Sequence, residues 1–368
     1  MTAAPFENLP ARVPAPDTDV SFEERGLANR NSGLPLELLR HDITPAGAHY
    51  LLTHFDMPHL PGDSFRLRIG GAVRTPLDLS LADLLERPQV DMPVTLECAG
   101  NGRAGHDPRH RSMPWLYEAV GTALWTGTPL APLLAEAGAA ADVQDWAFFG
   151  ADEGFDDGVR HFFGRSLTPA EVAAAQPLLV TGMNGAPLLP QHGAPLRLIV
   201  PGWYGMASVK WLNRIEALTE RFDGFQQVHT YRYRQDRESA GTPVTTLRVK
   251  SLMVPPGLPD WYSRRRWLEA GPVTVEGRAW TGPGRRITGV RLTDGSTSIE
   301  ADLSAPVGSH AWLHWRAVWD ARPGRYQLRC IARDDSGAEQ PLTPPADVAG
   351  FGNNAAQSVD VQVAPHEV

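Results

Sequence analysis

Thr95-Leu96-Glu97-Cys98-Ala99-Gly100-Asn101-Gly102-Arg103 is the stretch on which the reading of this chain turns. Val94 to Leu96 is a short apolar run of strand type, and the Gly-Asn-Gly cluster ends it in a tight loop. Cys98 therefore sits where a strand becomes a loop, a common place for reactive groups. A cysteine taken alone is most often a small buried hydrophobe. Here Gly100 and Gly102 permit close approach of backbone to a ligand. Asn101, Arg103, His106, Arg109, His110 and Arg111 follow within thirteen residues. Such a cationic loop would stabilise a thiolate and draw an anion.

Outward from this loop, the first 250 residues mix strands and short helices without a regular βαβ repeat, which predicts an α+β domain. Phe65 to Val73 alternates as a strand, and Ser80 caps a helix over Leu81 to Glu86. Residues 130–141 read as helix, Trp146 to Phe149 as strand, and Thr168-Pro169 as the capped start of a helix over Ala170 to Ala175. Leu178 to Thr181 and Leu196 to Val200 read as buried strands. After Pro255-Pro256-Gly257 the texture changes to short alternating strands: Val273–Ala279, Ile287–Thr293, Ala311–Trp319, Tyr326–Arg333 and Ser358–Val363. This predicts an all-β sandwich of roughly 100 residues. Trp315 and Trp319 fall on one strand face. The predicted division is an N-terminal arm (1–34), a catalytic domain (35–250) and the sandwich (251–368).

Lys plus Arg number 34 against 42 Asp plus Glu, a net charge of −8. That balance argues against nucleic acid as a partner. The two cysteines, Cys98 and Cys330, stand in unlike contexts and are not expected to pair. Residues 1–30 offer no apolar signal core, and no run approaches a membrane span. A cytoplasmic protein without membrane association is the expectation.

The loop around Cys98 resembles the molybdenum-ligand motif of the sulfite oxidase family. The resemblance continues through Pro114-Trp115, Trp125-Thr126-Gly127 and Pro129-Leu130. It resumes at Met183-Asn184-Gly185, Pro187-Leu188, His192-Gly193, Pro195-Leu196-Arg197, Val200-Pro201-Gly202 and Ser208-Val209-Lys210-Trp211-Leu212. Ala279-Trp280-Thr281-Gly282 and Gly352-Asn353-Asn354 extend it into the sandwich. It implies a molybdopterin-binding domain of sulfite oxidase fold followed by an immunoglobulin-like dimerisation domain. It implies a molybdenum–molybdopterin cofactor, with Cys98 as ligand to the metal. It also implies oxygen-atom transfer on a small oxyanion or oxo substrate, the cofactor carrying the chemistry. By motif position His54, Asp152, His192, Arg197, Ser208, Val209 and Lys210 would bind the pterin and its phosphate. Arg103 would face the substrate, and Tyr231, with Tyr233 as the alternative, would be the active-site tyrosine. Singly, each has an ordinary explanation as a loop histidine, a solvated cation or a packed strand tyrosine; as an ordered set they do not.

Two departures bear on substrate. Leu52-Thr53-His54 stands where sulfite enzymes of the family carry Arg-Asn-His, and Gly102 replaces an arginine common in animal and plant members. Loss of one charge-assisted contact costs about 1.5–3 kcal/mol of anion affinity, unless Arg109, Arg111 or His106 compensates. No haem-attachment motif occurs, so the expected route for electrons is an external carrier. The alternatives are a molybdoenzyme that reduces nitrate or a sulfoxide, a non-catalytic β-sandwich interaction protein with a degenerate site, and a cysteine hydrolase using Cys98.

Overall fold

The computed structural model describes residues 20–236 and 238–365. The expected cysteine-bearing strand runs Val90–Glu97, and its last four residues are all buried. It pairs antiparallel with Val120–Pro129, which in turn pairs with Leu178–Met183. Arg197–Ile199 adds to the far side of Leu178–Met183. A second sheet has the order Leu77–Ser80, Arg66–Gly71, Leu212–Leu218, Asp145–Asp156 and Val159–Leu167. Its one parallel pair sets Ile69 opposite Ile215.

Helices in this half are few and short. Ser80 and Thr168 cap Leu81–Leu85 and Pro169–Ala175 with reciprocal side-chain and backbone bonds. Leu130–Ala137 stops at Gly138, in the left-handed conformation. The half expected to be α+β is thus predominantly strand. The N-terminal arm, in which no element was expected, holds a helix, Phe22–Arg30, opened by a Ser21–Glu24 capping box. The arm's first 19 residues lie outside the described residues.

The C-terminal part comprises a four-stranded and a six-stranded sheet. The strand Leu313–Ala321 buries every second residue, Trp315 and Trp319 included. Those two share a core with Val275, Val290, Leu292, Leu328 and Val361 from both sheets. Full burial of such side chains contributes about 1.5–3 kcal/mol each. Cys330 is sealed in this core, its thiol pushed up to about 12 by burial. Both cysteines are free. No described helix is long and apolar enough to cross a membrane.

The two parts meet along the cysteine strand. Thr95 donates its amide to His310 O at 2.9 Å, and Thr95 Oγ1 accepts from the Trp312 amide at 2.8 Å. Trp280, Trp312 and Phe351 belong to the same core cluster as the first sheets.

Candidate active site

Cys98 lines a cavity. His54, Asp152, His192, Arg197, Ser208, Lys210 and Tyr231 share that lining. Three structural causes bring them together. The Cys98 loop follows its strand directly, with the Cys98 amide bonded to Ala119 O at 2.9 Å. Asp152 lies where Asp145–Asp156 loses register between Phe149 and Glu153, an irregularity that re-aims side chains. Lys210 precedes Trp211, whose φ of +50° is rare for a bulky residue. That turn is pinned by Trp211 Nε1 bonding Pro190 O at 2.9 Å.

Two cations line the cavity, Arg197 buried and Lys210 partly buried. Arg197 donates to His192 O at 3.0 Å and Ser208 O at 3.3 Å, with Nε left unpaired. Its guanidinium lies 4.8 Å over the Trp125 ring. Lys210 Nζ bonds Leu52 O, Thr53 Oγ1 and Gln191 O at 2.9–3.1 Å. Neither cation has a carboxylate partner among the described residues; Asp152 shares the lining but forms no ion pair, and its Oδ1 is unpaired. Burial, and then Arg197 nearby, pulls Lys210 down to about 7, and burial brings Arg197 down to about 10. Burial raises Asp152 to about 6. It lowers His192 to about 4 and His49 to about 3, so both are neutral imidazoles at neutral pH. Charges withdrawn from water need partners, and a cavity with two cations that bond no carboxylate fits a ligand that carries its own negative charge. Unpaired Arg197 Nε, Asp152 Oδ1 and His49 Nε2 give a heterocycle and its phosphate polar atoms to meet. These residues fit a molybdopterin.

His54 Nε2 and the Tyr231 hydroxyl are 2.6 Å apart, and the His54 ring stacks on Phe163 at 4.7 Å. Burial lowers His54 to about 3 and pushes Tyr231 well up. The phenol therefore stays protonated beside a neutral imidazole, and the tautomer of His54 sets which of the two donates. Tyr233 is not part of this lining; it packs against Arg248, 4.4 Å from its ring. Burial is also the largest influence on Cys98, raising its thiol, with Arg103 opposing. The expected cationic stabilisation of the thiolate is present and is outweighed.

Three expectations need correction. Arg103 does not line the cavity. It packs behind the loop, where a Cβ on Gly100 would sit 2.7 Å from its guanidinium, and it donates to Ala349 O at 2.7 Å and Met113 O at 3.2 Å. Val209 is buried in the hydrophobic core, and its described contact is a backbone one, Val209 O accepting from the Leu198 amide at 2.8 Å. Arg109 is engaged by the Glu24 carboxylate of the N-terminal helix, so it is not a substitute for the missing arginine at Leu52. The sequence reading also passed over His49, Tyr50, Gln191, Met206 and Phe163, all in the lining. Only His49, five residues before His54, gave a usable signal.

Residues 54–226 match the model of the oxidoreductase molybdopterin binding domain. Human mitochondrial sulfite oxidase is 31% identical over 390 residues, covering 99% of this chain and 69% of that protein. Nitrate reductase [NADH] 2 of Nicotiana tabacum is 29% identical over 92% of this chain and 41% of its own length. Among solved structures, the sulfane dehydrogenase SoxCD of Paracoccus pantotrophus superimposes with a TM-score of 0.77 at 26% identity, covering 90% of this chain and 84% of that one.

Proposed function

The chain belongs to the sulfite oxidase family of molybdopterin-binding oxidoreductases, and from that premise we propose that it oxidises a small sulfur oxyanion, sulfite or a close relative, by oxygen-atom transfer. The observation that carries this reading is the convergence on a single cavity of one thiol with two cations, Arg197 and Lys210, neither of them bonded to a carboxylate. Cys98 would ligate the metal, losing its proton on coordination. Arg197, Lys210 and Ser208 would hold the pterin phosphate, and His192 and Asp152 the pterin. Val209 would contribute through its backbone alone. Molybdenum bound to molybdopterin supplies exchange of one oxygen atom and two electrons, which pass to an external acceptor. Tyr231 lies beside neutral His54, and in the tautomer in which His54 Nε2–H donates to the phenol oxygen, the phenol's own O–H is left to donate to an oxyanion in the cavity. Arg103 acts at one remove, stiffening the loop and contributing positive charge from behind it.

Leu52 lies against the apolar cluster that contains Cys98, Met113 and Trp115. The substrate pocket is thus one cation poorer than a sulfite-binding site of the Arg-Asn-His type. This supports a higher KM for sulfite than for a substrate that brings an apolar portion. In the same reading residues 35–250 form the catalytic domain. Residues 251–368 form an immunoglobulin-like domain that joins two copies of the chain.

The test is to express the chain in a cofactor-competent host and measure molybdenum per chain. Turnover is then assayed on sulfite and thiosulfate with ferricyanide, and on nitrate with reduced viologen. Molybdenum with sulfur-oxyanion oxidation is expected. Metal-free protein from such a host, or activity on nitrate alone, overturns the proposal.

A further inference from the structure

Leu96 lines the cavity and Glu97 does not. Successive strand residues point to opposite faces, so Glu97 turns away from the cavity, toward the C-terminal sheets. It is 1% exposed there, yet both its carboxylate oxygens are bonded. Oε1 accepts from Asn101 Nδ2 at 3.0 Å and Lys250 Nζ at 2.6 Å, and Oε2 accepts from Trp280 Nε1 at 2.9 Å. Lys250 and Trp280 are direct cross-strand partners in the pairing of Lys250–Met253 with Gly271–Trp280. Their side chains therefore leave the sheet on one face and converge on one carboxylate.

The clamp continues around the loop. Lys250 also donates to Asn353 O at 2.8 Å, and Asn353 Nδ2 donates to Gly102 O at 2.7 Å. The Gly352 amide bonds Ala99 O at 2.7 Å, and the Asn101 amide bonds Cys98 O at 2.9 Å. Asn101 Oδ1 accepts from the Ala119 amide at 3.1 Å. A buried ion pair is a poor source of stability, because apolar side chains of the same shape serve as well. What it does supply is a single geometry, and a metal ligand must be held to a fraction of an ångström.

We propose that Glu97 is a positioning residue for the Cys98 sulfur, acting through the loop. In this account the pair Lys250 and Trp280 makes the C-terminal sheets part of the active site's geometry. The proposal rests on the reading of Cys98 as the metal's protein ligand. It is tested with W280F and the double variant E97Q/K250M. W280F removes one hydrogen bond and leaves the rest of the clamp. The double variant removes both charges together, so neither is left buried and alone.

Two properties are read: site-resolved alkylation of Cys98 by iodoacetamide in cofactor-free protein, and the sulfur-to-molybdenum charge-transfer band of the loaded enzyme. In both variants alkylation should rise, on the order of tenfold, and the band should shift. Turnover should fall through kcat with KM little changed. Wild-type alkylation and an unshifted band in both variants overturn the proposal. So does a double variant that returns to wild-type values while W280F alone is altered, since that marks packing rather than the carboxylate. C98S separates the underlying reading: loss of the band there upholds Cys98 as ligand, and a retained band removes that reading and the proposal together.

Discussion

Lys210, partly buried, and Lys250, fully buried, lie on either side of the Cys98 loop and live under opposite electrostatic conditions. Lys250 is 1% exposed and bonded to Glu97. Lys210 is surrounded by carbonyl and hydroxyl oxygens and has no carboxylate bonded to it. The protein completes the first charge by itself and leaves the second for something else to complete. A fold that could neutralise one buried lysine and leaves another bare has kept the second for an anion. That contrast separates the part of the molecule that aims the thiol from the part that receives the cofactor.

The sharpest way to break the contrast is at the sulfur both sides serve. C98S should fold and lose turnover by more than the ten- to hundredfold typical of groups around a metal, with sulfite oxidation as the measurement. Full activity would leave the two lysines with nothing in common. Next come the lysines themselves. K250M strands the Glu97 carboxylate and should cost about 3–5 kcal/mol in urea unfolding of cofactor-free protein. K210M breaks no ion pair, and the loss of the longer-range attraction to Asp152 and the orphaned acceptors oppose the relief of removing the cation, so its stability should change by no more than about 1–2 kcal/mol. Its molybdenum content should nonetheless collapse. Equal destabilisation of the two variants would erase the distinction.

A subtler comparison uses pH. The folded-state Lys210 lies near 7 against an unfolded value of 10.5. Between these values the unfolded chain binds more protons, so stability must rise with pH. Cofactor-free protein should therefore resist urea better at about pH 8.5 than at pH 7, by an amount on the order of 1 kcal/mol. K210M should flatten that slope, and bound cofactor, by restoring the positive charge, should flatten it too. The smallest effect belongs to the arm. Burial pushes Glu24 up, but Arg109 and the amides of Ser21 and Ser112 overcome this and hold it at about 2. Its contribution is present above about pH 4.5 and is lost as pH falls toward 2. E24Q should loosen the 106–113 loop, read as faster proteolysis there, and leave molybdenum content unchanged.

The C-terminal strands were legible because they are half-buried and alternate. Ile287–Thr293 is bounded in the structure as the pattern bounds it, and Leu313–Ala321 shows the alternation throughout. Lys250–Met253 is buried at all four positions, so no period marked it. The helix Phe22–Arg30 carries four charged residues in nine and buries only Glu24, which hid it. The Ser21–Glu24 spacing was the available sign. In the site, the cavity residues came from ordered motifs, but side-chain direction did not. Arg103 turns behind the loop because Gly100 leaves room for its guanidinium. Asp152 faces the cavity at a break in strand register that no alternation announces.

The bond from Arg103 to Ala349 spans 246 positions of sequence, and it sets an order of events during synthesis. A nascent chain leaves the ribosome from its amino end, so the cysteine loop emerges long before the segment that fastens it. Insertion of the metal into a finished pocket must wait until that late segment has been translated and docked. A ribosome stalled between the two should display a thiol that is already made and still unguarded.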